Sequence, residues 1–238
     1  MTKAVTDNLR DMETMGVIRR NNKTPWGFPE IPVPKPDGTM RSCSDLRKLN
    51  PRIYNYAYPL MTEGDIFMRL GNATLFSTID LVKYYWSFGL SEAAQEICSI
   101  RSPNGECYSY NVLPMGLNVS PAIAQAHIDS LLRRVYDGPG PMHGRIALEA
   151  FAVSYQDDLA IYTDKENEPY HAHYVAWVLK QLSLSNLTVH PRKCHLFQPS
   201  VHILGHVVDA NGLHPDHAKV KAIRNMPPPT TKAGVRSL

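Results

Sequence analysis

"FAVSYQDDLAIYT", residues 151–163, sets two adjacent carboxylates, Asp157 and Asp158, inside a run that otherwise alternates as a buried β-strand does. Along a strand, neighbouring side chains point to opposite faces, whereas at a tight turn both can lie beside one cleft. Aspartate is also common on solvated hairpin tips. Here the flanks Phe151, Val153, Leu159 and Ile161 are apolar, so the hairpin is expected to pack into the body of the protein. Buried like charges are costly unless a cation joins them. Hard oxygen ligands favour Mg2+ or Mn2+ over zinc.

A good divalent site needs a third carboxylate. Asp80 closes another apolar strand, "TLFSTIDL", residues 74–81. If the two strands are neighbours, Asp80 and Asp157 can grip two ions about 4 Å apart, the spacing of two-metal phosphoryl-transfer sites. One ion would activate an attacking hydroxyl and the other would hold a leaving pyrophosphate.

The chain has 238 residues, 43% of them hydrophobic and 20% charged, which suits one large or two small globular domains. A net charge of +3 permits a polyanionic partner without requiring one. The cysteines Cys43, Cys98, Cys107 and Cys194 form no C-x-x-C pair, so reduced thiols are expected. His190, Cys194 and His195 match no standard zinc spacing. No apolar stretch approaches the roughly 20 residues of a membrane span.

Helical spacing of Val5, Leu9, Met12 and Val17 predicts a helix over residues 1–20. Pro25 to Pro36 reads as extended chain, with Asp37-Gly38 as a hairpin turn and the proline-bearing arm as an edge strand. Ser120-Pro121 predicts a helix start, with Ser as the cap and Ile123, His127, Leu131 and Val135 on one face. A loop covers 137–144, and a second amphipathic helix covers 168–184, with Tyr174, Val178 and Leu182 in register. Short strands are predicted at 187–190, 194–197 and 202–208. The order argues an α+β fold, a sheet with helices on one face.

"Tyr155-Gln156-Asp157-Asp158" resembles the Y-x-D-D box of reverse transcriptases. Four other blocks agree in kind and order. "KPDGTMRSCSDLRKLN" (35–50) resembles their fingers hairpin, and "LFSTIDLVKYYW" (75–86) the strand of the first catalytic aspartate. "YSYNVLPMGLNVSPAIAQ" (108–125) resembles the lead into a palm helix, and "HILGHVV" (202–208) the primer grip. The likeness is to the LTR-retrotransposon (Ty3/gypsy) and retroviral branch, from about Val17 to Leu238.

The resemblance implies a right-hand polymerase whose palm sheet is antiparallel, with fingers at 1–55 and 88–119, palm at 56–87 and 120–215, and the start of a thumb at 216–238. It implies catalytic and metal-binding roles for Asp80, Asp157 and Asp158, with the Leu81 backbone as a further ligand, and two Mg2+ ions for which Mn2+ can substitute. Lys35, Arg41, Tyr85, Met115 and Gly116 would bind the nucleotide, Tyr85 as a gate beneath the sugar. Tyr155, Gln156, Gly205 and His206 would touch primer and template. Met115 stands where retroviral enzymes usually carry Gln and many retrotransposons Phe. Residues 137–147 resemble an insertion.

The implied partners are an RNA or DNA template, a DNA primer and deoxynucleoside triphosphates, with no membrane. The implied setting is a Pol polyprotein whose full thumb, RNase H and integrase modules lie outside this chain. The location is the cytoplasm, with virus-like particles and the nucleus within reach. Read from the residues alone, a non-catalytic nucleic-acid-binding derivative and a metal-dependent nuclease stay open.

Overall fold

The computed structural model describes residues 2–34, 40–136, 138–139, 146–147, 150–155, 158–216, 220–221 and 224–225. Helix α1 (Thr2–Thr14) turns Val5, Leu9 and Met12 inward, as their spacing predicts. It stops earlier than expected: Val17 N–H closes on the Met12 carbonyl, and β1 (Ile18–Arg20) begins at once. Strands β2 (Phe28–Pro34) and β3 (Met40–Ser44) pair antiparallel, with Pro34 opposite Met40. That is the expected hairpin; its Asp37-Gly38 turn lies outside the described residues.

Helix α2 (Glu63–Leu70) opens on a reciprocal cap between Thr62 and Asp65. Then come β4 (Leu75–Asp80), α3 (Glu92–Ile97), β5 (Ser99–Arg101) and β6 (Cys107–Tyr110). Helix α4 (Ser120–Leu132) is followed by the short pair β7 (Val135–Tyr136) and β8 (Ile146–Ala147). Strands β9 (Ala152–Tyr155) and β10 (Asp158–Thr163) are the two arms of the opening stretch. Helix α5 (His171–Leu184), β11 (His195–Gln198), β12 (Ser200–Ile203), β13 (His206–Asp209) and β14 (Gly212–Pro215) complete the chain order.

Among the described residues the strands form a sheet ordered β1-β6-β5-β2-β3, a sheet ordered β11-β4-β10-β9, and a sheet ordered β12-β13-β14. The edge assignment for β2 is corrected, because β5 runs parallel beside it. That contact spans Phe28↔Ile100 and Pro29↔Arg101, so Pro32 and Pro34 lie on an arm where β3 is the paired neighbour. Prolines are tolerated there because no second ladder needs their missing N–H.

The sheet β11-β4-β10-β9 is packed on both faces. Ile79, Leu159 and Ile161 pack in one cluster with Ile128 of α4 and Val178 of α5. All three are buried, each burial worth about 2 kcal/mol. The other face carries Phe76, Ala160 and Val153, packed with Ile66 and Leu70 of α2 and Val201, Ile203 and Val208. So α4 and α5 share one face as expected, and α2 with the last sheet covers the other.

Four sequence expectations shift by small steps. Ser120 is the first residue inside α4, not its cap, because its hydroxyl donates to the Pro114 carbonyl at 2.8 Å. The buried stripe of α4 is Ala124, Ile128 and Leu131, one residue round from His127, and Val135 is exposed. The 187–190 strand reduces to a single bridge, Leu81↔Val189. The 202–208 strand is two strands, folded at Leu204-Gly205, where φ is +51° and +75°. Two successive left-handed residues make a tight hairpin turn, which the glycine accommodates.

A buried polar cluster ties α5 to the sheet. His171 is fully buried, with Nε2 2.8 Å from Ser77 Oγ and Nδ1 2.9 Å from Thr163 Oγ1. Ser77 Oγ also accepts from Phe197 N–H at 3.0 Å, at the irregularity in β11.

Candidate active site

Asp80 ends β4 and Asp158 begins β10, and the antiparallel register sets them directly opposite each other. Alternation puts Asp80 with Thr78 and Phe76, and Asp158 with Ala160, so both carboxylates leave the same face of the sheet. The opposite face is the hydrocarbon of Ile79 and Leu159. A one-residue slip of either strand would turn its carboxylate onto that face, which pins the register.

Positive charge reaches the pair from the segment before β11. Lys193 Nζ donates to Asp80 Oδ2 at 3.3 Å and to Oδ1 at 3.5 Å. The ammonium is largely exposed, so the contact contributes under about 1 kcal/mol. Asp158 also reaches solvent, yet neighbouring protein strips enough water from it to raise its carboxyl above the ordinary value. Asp80 adds to the rise and Lys193 opposes it. Asp80, Asp158, Thr78, Lys193, His195 and His202 line a cavity of about 190 Å3.

The Leu81 carbonyl joins this corner by strand geometry. Across the Leu81↔Val189 bridge, Val82 N–H donates to the Thr188 carbonyl and His190 N–H to the Asp80 carbonyl. Leu81's own N–H and C=O therefore point away from Val189, toward the β10 side. Asp157 and Gln156 lie outside the described residues, as does Lys35. Among the described residues, no group of three His, Cys, Asp or Glu side chains converges as a metal site. The described donors are two facing carboxylates and one carbonyl, all hard oxygens suited to a divalent ion.

Tyr155 ends β9 opposite Asp158, half-buried against the second core cluster. Strand β9 is tied to α4: Gln125 Nε2 donates to Ser154 Oγ at 2.9 Å and to Asp129 Oδ1 at 2.7 Å, and Tyr58 donates to Asp129 Oδ2 at 2.7 Å. Tyr85 lies in a short 3-10 turn, Tyr84–Ser87, entered through Lys83 at φ +49°. It is 9% exposed within the first core cluster, its ring 6.4 Å from that of Tyr84. Tyr84 is pinned in turn by its hydroxyl on the Ala124 carbonyl at 2.8 Å.

Met115 is exposed, and Gly116 follows at φ +98°. A Cβ at Gly116 would come within 3.3 Å of the Ser44 carbonyl, so glycine is what lets this loop approach β3. Asn50 Nδ2 holds the Gly116 carbonyl at 3.0 Å. Arg41 is placed by its backbone in β3, opposite Val33. Gly205 and His206 occupy the β12–β13 turn and its exit, with His206 edge-on to Phe67 at 5.1 Å.

The structure thus brings together Asp80, Asp158 and Leu81 at one corner. It brings Gly116 against the base of the β2–β3 hairpin. His202 and Ile203 of β12 reach the carboxylate cavity, linking the last sheet to that corner. Lys193, His195 and His202 were missed by sequence reading. Nothing local marks Lys193, whose partner Asp80 lies far away in sequence.

A sheet presenting facing carboxylates and backed by two helices is the arrangement of the right-hand polymerase fold. The chain belongs to the reverse transcriptase (RNA-dependent DNA polymerase) family, whose model matches residues 33–208. Among curated relatives, the retrovirus-related Pol polyprotein from transposon gypsy of Drosophila melanogaster is 33% identical over 240 residues, covering 98% of this chain and 22% of the relative. That from transposon opus, also of Drosophila melanogaster, is 32% identical over 222 residues, covering 91% and 20%. The chain spans about a fifth of the length of these relatives.

Among solved structures, the foamy viral protease-reverse transcriptase in complex with dsDNA superposes with a TM-score of 0.83 at 25% identity, covering 99% of this chain and 46% of that one. The same viral protein in complex with an RNA/DNA hybrid gives 0.83 at 24% identity, covering 99% and 30%.

Proposed function

We propose that this chain is the fingers and palm portion of a primer-extending DNA polymerase that copies RNA, and also DNA, with deoxynucleoside triphosphates. The observation that carries the reading is the register of Asp80 against Asp158 on neighbouring strands. Residues 1–55 and 88–119 are then the fingers, 56–87 and 120–215 the palm, and 216–238 the start of a thumb.

Asp80, Asp157, Asp158 and the Leu81 carbonyl would hold two Mg2+ ions, with Mn2+ as a substitute. The raised carboxyl of Asp158 fits this reading, since burial first and Asp80 second disfavour its charged form, which a divalent cation would favour. Bound ions of this kind activate a hydroxyl nucleophile and neutralise phosphate charge. The protein's own groups position the reactants, which is most of what phosphoryl transfer asks of an enzyme.

Lys35 and Arg41 suit the triphosphate: an ammonium and a forked guanidinium match phosphate oxygens. Met115 and Gly116 line the nucleotide site, and Tyr85 lies under the sugar. Tyr155, Gln156, Gly205 and His206 contact primer and template.

Primer extension on RNA and DNA templates tests the reading. The wild-type chain extends a primer in Mg2+ and Asp157→Asn does not. Tight primer–template binding without extension would instead indicate a non-catalytic derivative, and degradation without extension a nuclease. Tyr85→Val, which removes the ring beneath C2′, should weaken discrimination against ribonucleotides by about a hundredfold. Unchanged sugar selectivity in single-nucleotide incorporation would count against the gate.

A further inference from the structure

A polar relay ties the base of the β2–β3 hairpin to β6. Tyr110, the last residue of β6, has its hydroxyl 2.8 Å from Ser44 Oγ. The Ser44 hydroxyl donates to Glu30 Oε1. Serine has one proton to give, so with Glu30 as its acceptor the Tyr110 hydroxyl is the donor to Ser44. The relay has one direction: phenol to hydroxyl to carboxylate. Glu30 and Tyr110 are 8% and 5% exposed. Desolvation, reinforced by Glu30, raises the Tyr110 phenol, which keeps it protonated and donating.

The place of the relay gives it a task. In the sheet, β5 and β2 stand between β6 and β3. Past Pro29, no backbone ladder among the described residues joins the hairpin to the rest of the sheet. The relay crosses that gap with side chains. Ser44 also approaches the loop that follows β6, since its carbonyl is the atom a Cβ at Gly116 would meet at 3.3 Å. One residue therefore links the hairpin to β6 through its hydroxyl and to the Met115–Gly116 loop through its backbone. Charge-assisted hydrogen bonds out of water are strong and directional, so they fix an angle where apolar packing would tolerate sliding.

We propose that Glu30, Ser44 and Tyr110 are positioning residues. They set the hairpin against the Met115–Gly116 loop and so tune affinity for the incoming triphosphate. The proposal rests on the reading of hairpin and loop as the nucleotide site.

Tyr110→Phe removes one hydroxyl and keeps the ring, and Ser44→Ala removes the link. In both, KM for the nucleotide should rise about tenfold, while kcat and primer–template affinity move less than about twofold. Ser44→Thr, which keeps the hydroxyl, should recover most of the loss. Amide hydrogen exchange at Ile31, Val33 and Cys43 should quicken about tenfold in both variants, with Ile79 and Leu159 unaffected.

The exchange measurement needs no turnover, so it separates a failed relay from a failed polymerase reading. Unchanged exchange in both variants overturns the relay whatever the activity. Faster exchange with unchanged KM, or with a wild-type chain that incorporates nothing, overturns the link to nucleotide affinity. A parallel fall in kcat and primer–template affinity overturns it too.

Discussion

Asp158→Asn is expected to abolish primer extension while making the metal-free protein slightly more resistant to heat. The two effects share one cause. Asp158 faces Asp80 across the β4–β10 ladder, and desolvation together with Asp80 raises its carboxyl. An acid whose value is raised on folding contributes stability at low pH and loses it as pH rises through that raised value. At neutral pH its charge is therefore a cost in the metal-free fold, and asparagine removes it. Because Asp158 is open to solvent, the gain is screened and should be about 1–2 °C in melting temperature.

Activity responds far more. Outer-shell changes at metal sites already cost 10- to 100-fold, so loss of a carboxylate from the proposed metal site should cost about a thousandfold or more. Thermal melts with and without Mg2+ check the link. The ion should raise the melting temperature of the wild type and do little for the variant. A variant that melts lower and still extends primers would show that the facing carboxylates are not the metal site.

Acid should loosen the protein through His171. Burial pushes this imidazole down from 6.5 to about 4, with Glu168 opposing weakly. A base with a depressed folded value gives stability that is complete above its unfolded value and is lost as pH falls. The window here runs from 6.5 to about 4. Across it the loss amounts to about 3 kcal/mol.

The cause is local: the ring sits between Ser77 and Thr163 with no solvent access, so a second proton would bring an unsolvated charge. Urea unfolding at pH 7, 5 and 4 should show the wild type losing about 3 kcal/mol more than His171→Gln over that range. Carboxylates that titrate in both proteins cancel in the comparison. Parallel pH profiles would mean that His171 is not the group responsible.

The hairpin at 152–163 and the strand ending in Asp80 could be read as strands because each is a short apolar run buried on both faces and broken by carboxylates. Their pairing could be inferred only through the carboxylates, since nothing local tells β4 that β10 is its neighbour. Alternation failed where a polar side chain served the interior. Ser120 points to Pro114 instead of capping, which moves the helix start, and His127 borders the core while Ile128 fills it.

The 202–208 run looked continuous because Leu204 carries no turn signal; only Gly205 hints that the chain reverses there. The parallel contact of β5 with β2 is too short to leave a pattern. Tyr85 reads as core from the residues and as a gate only through the resemblance, and the fold shows a buried ring on the turn leaving the strand that carries Asp80. Lys193 is invisible to local reading, because an exposed lysine acquires meaning only when folding brings it to Asp80.

The two-rung ladder β7–β8 has a practical corollary. Val135↔Ala147 and Tyr136↔Ile146 hold both ends of residues 137–145 together, and Tyr136 is anchored by Phe151, Tyr174 and Trp177. Lengthening a loop whose ends are already closed adds little entropic penalty. A fluorophore tag or affinity peptide could be spliced in beyond Pro139, whose carbonyl accepts the Tyr136 hydroxyl, with both flanks still held by that ladder.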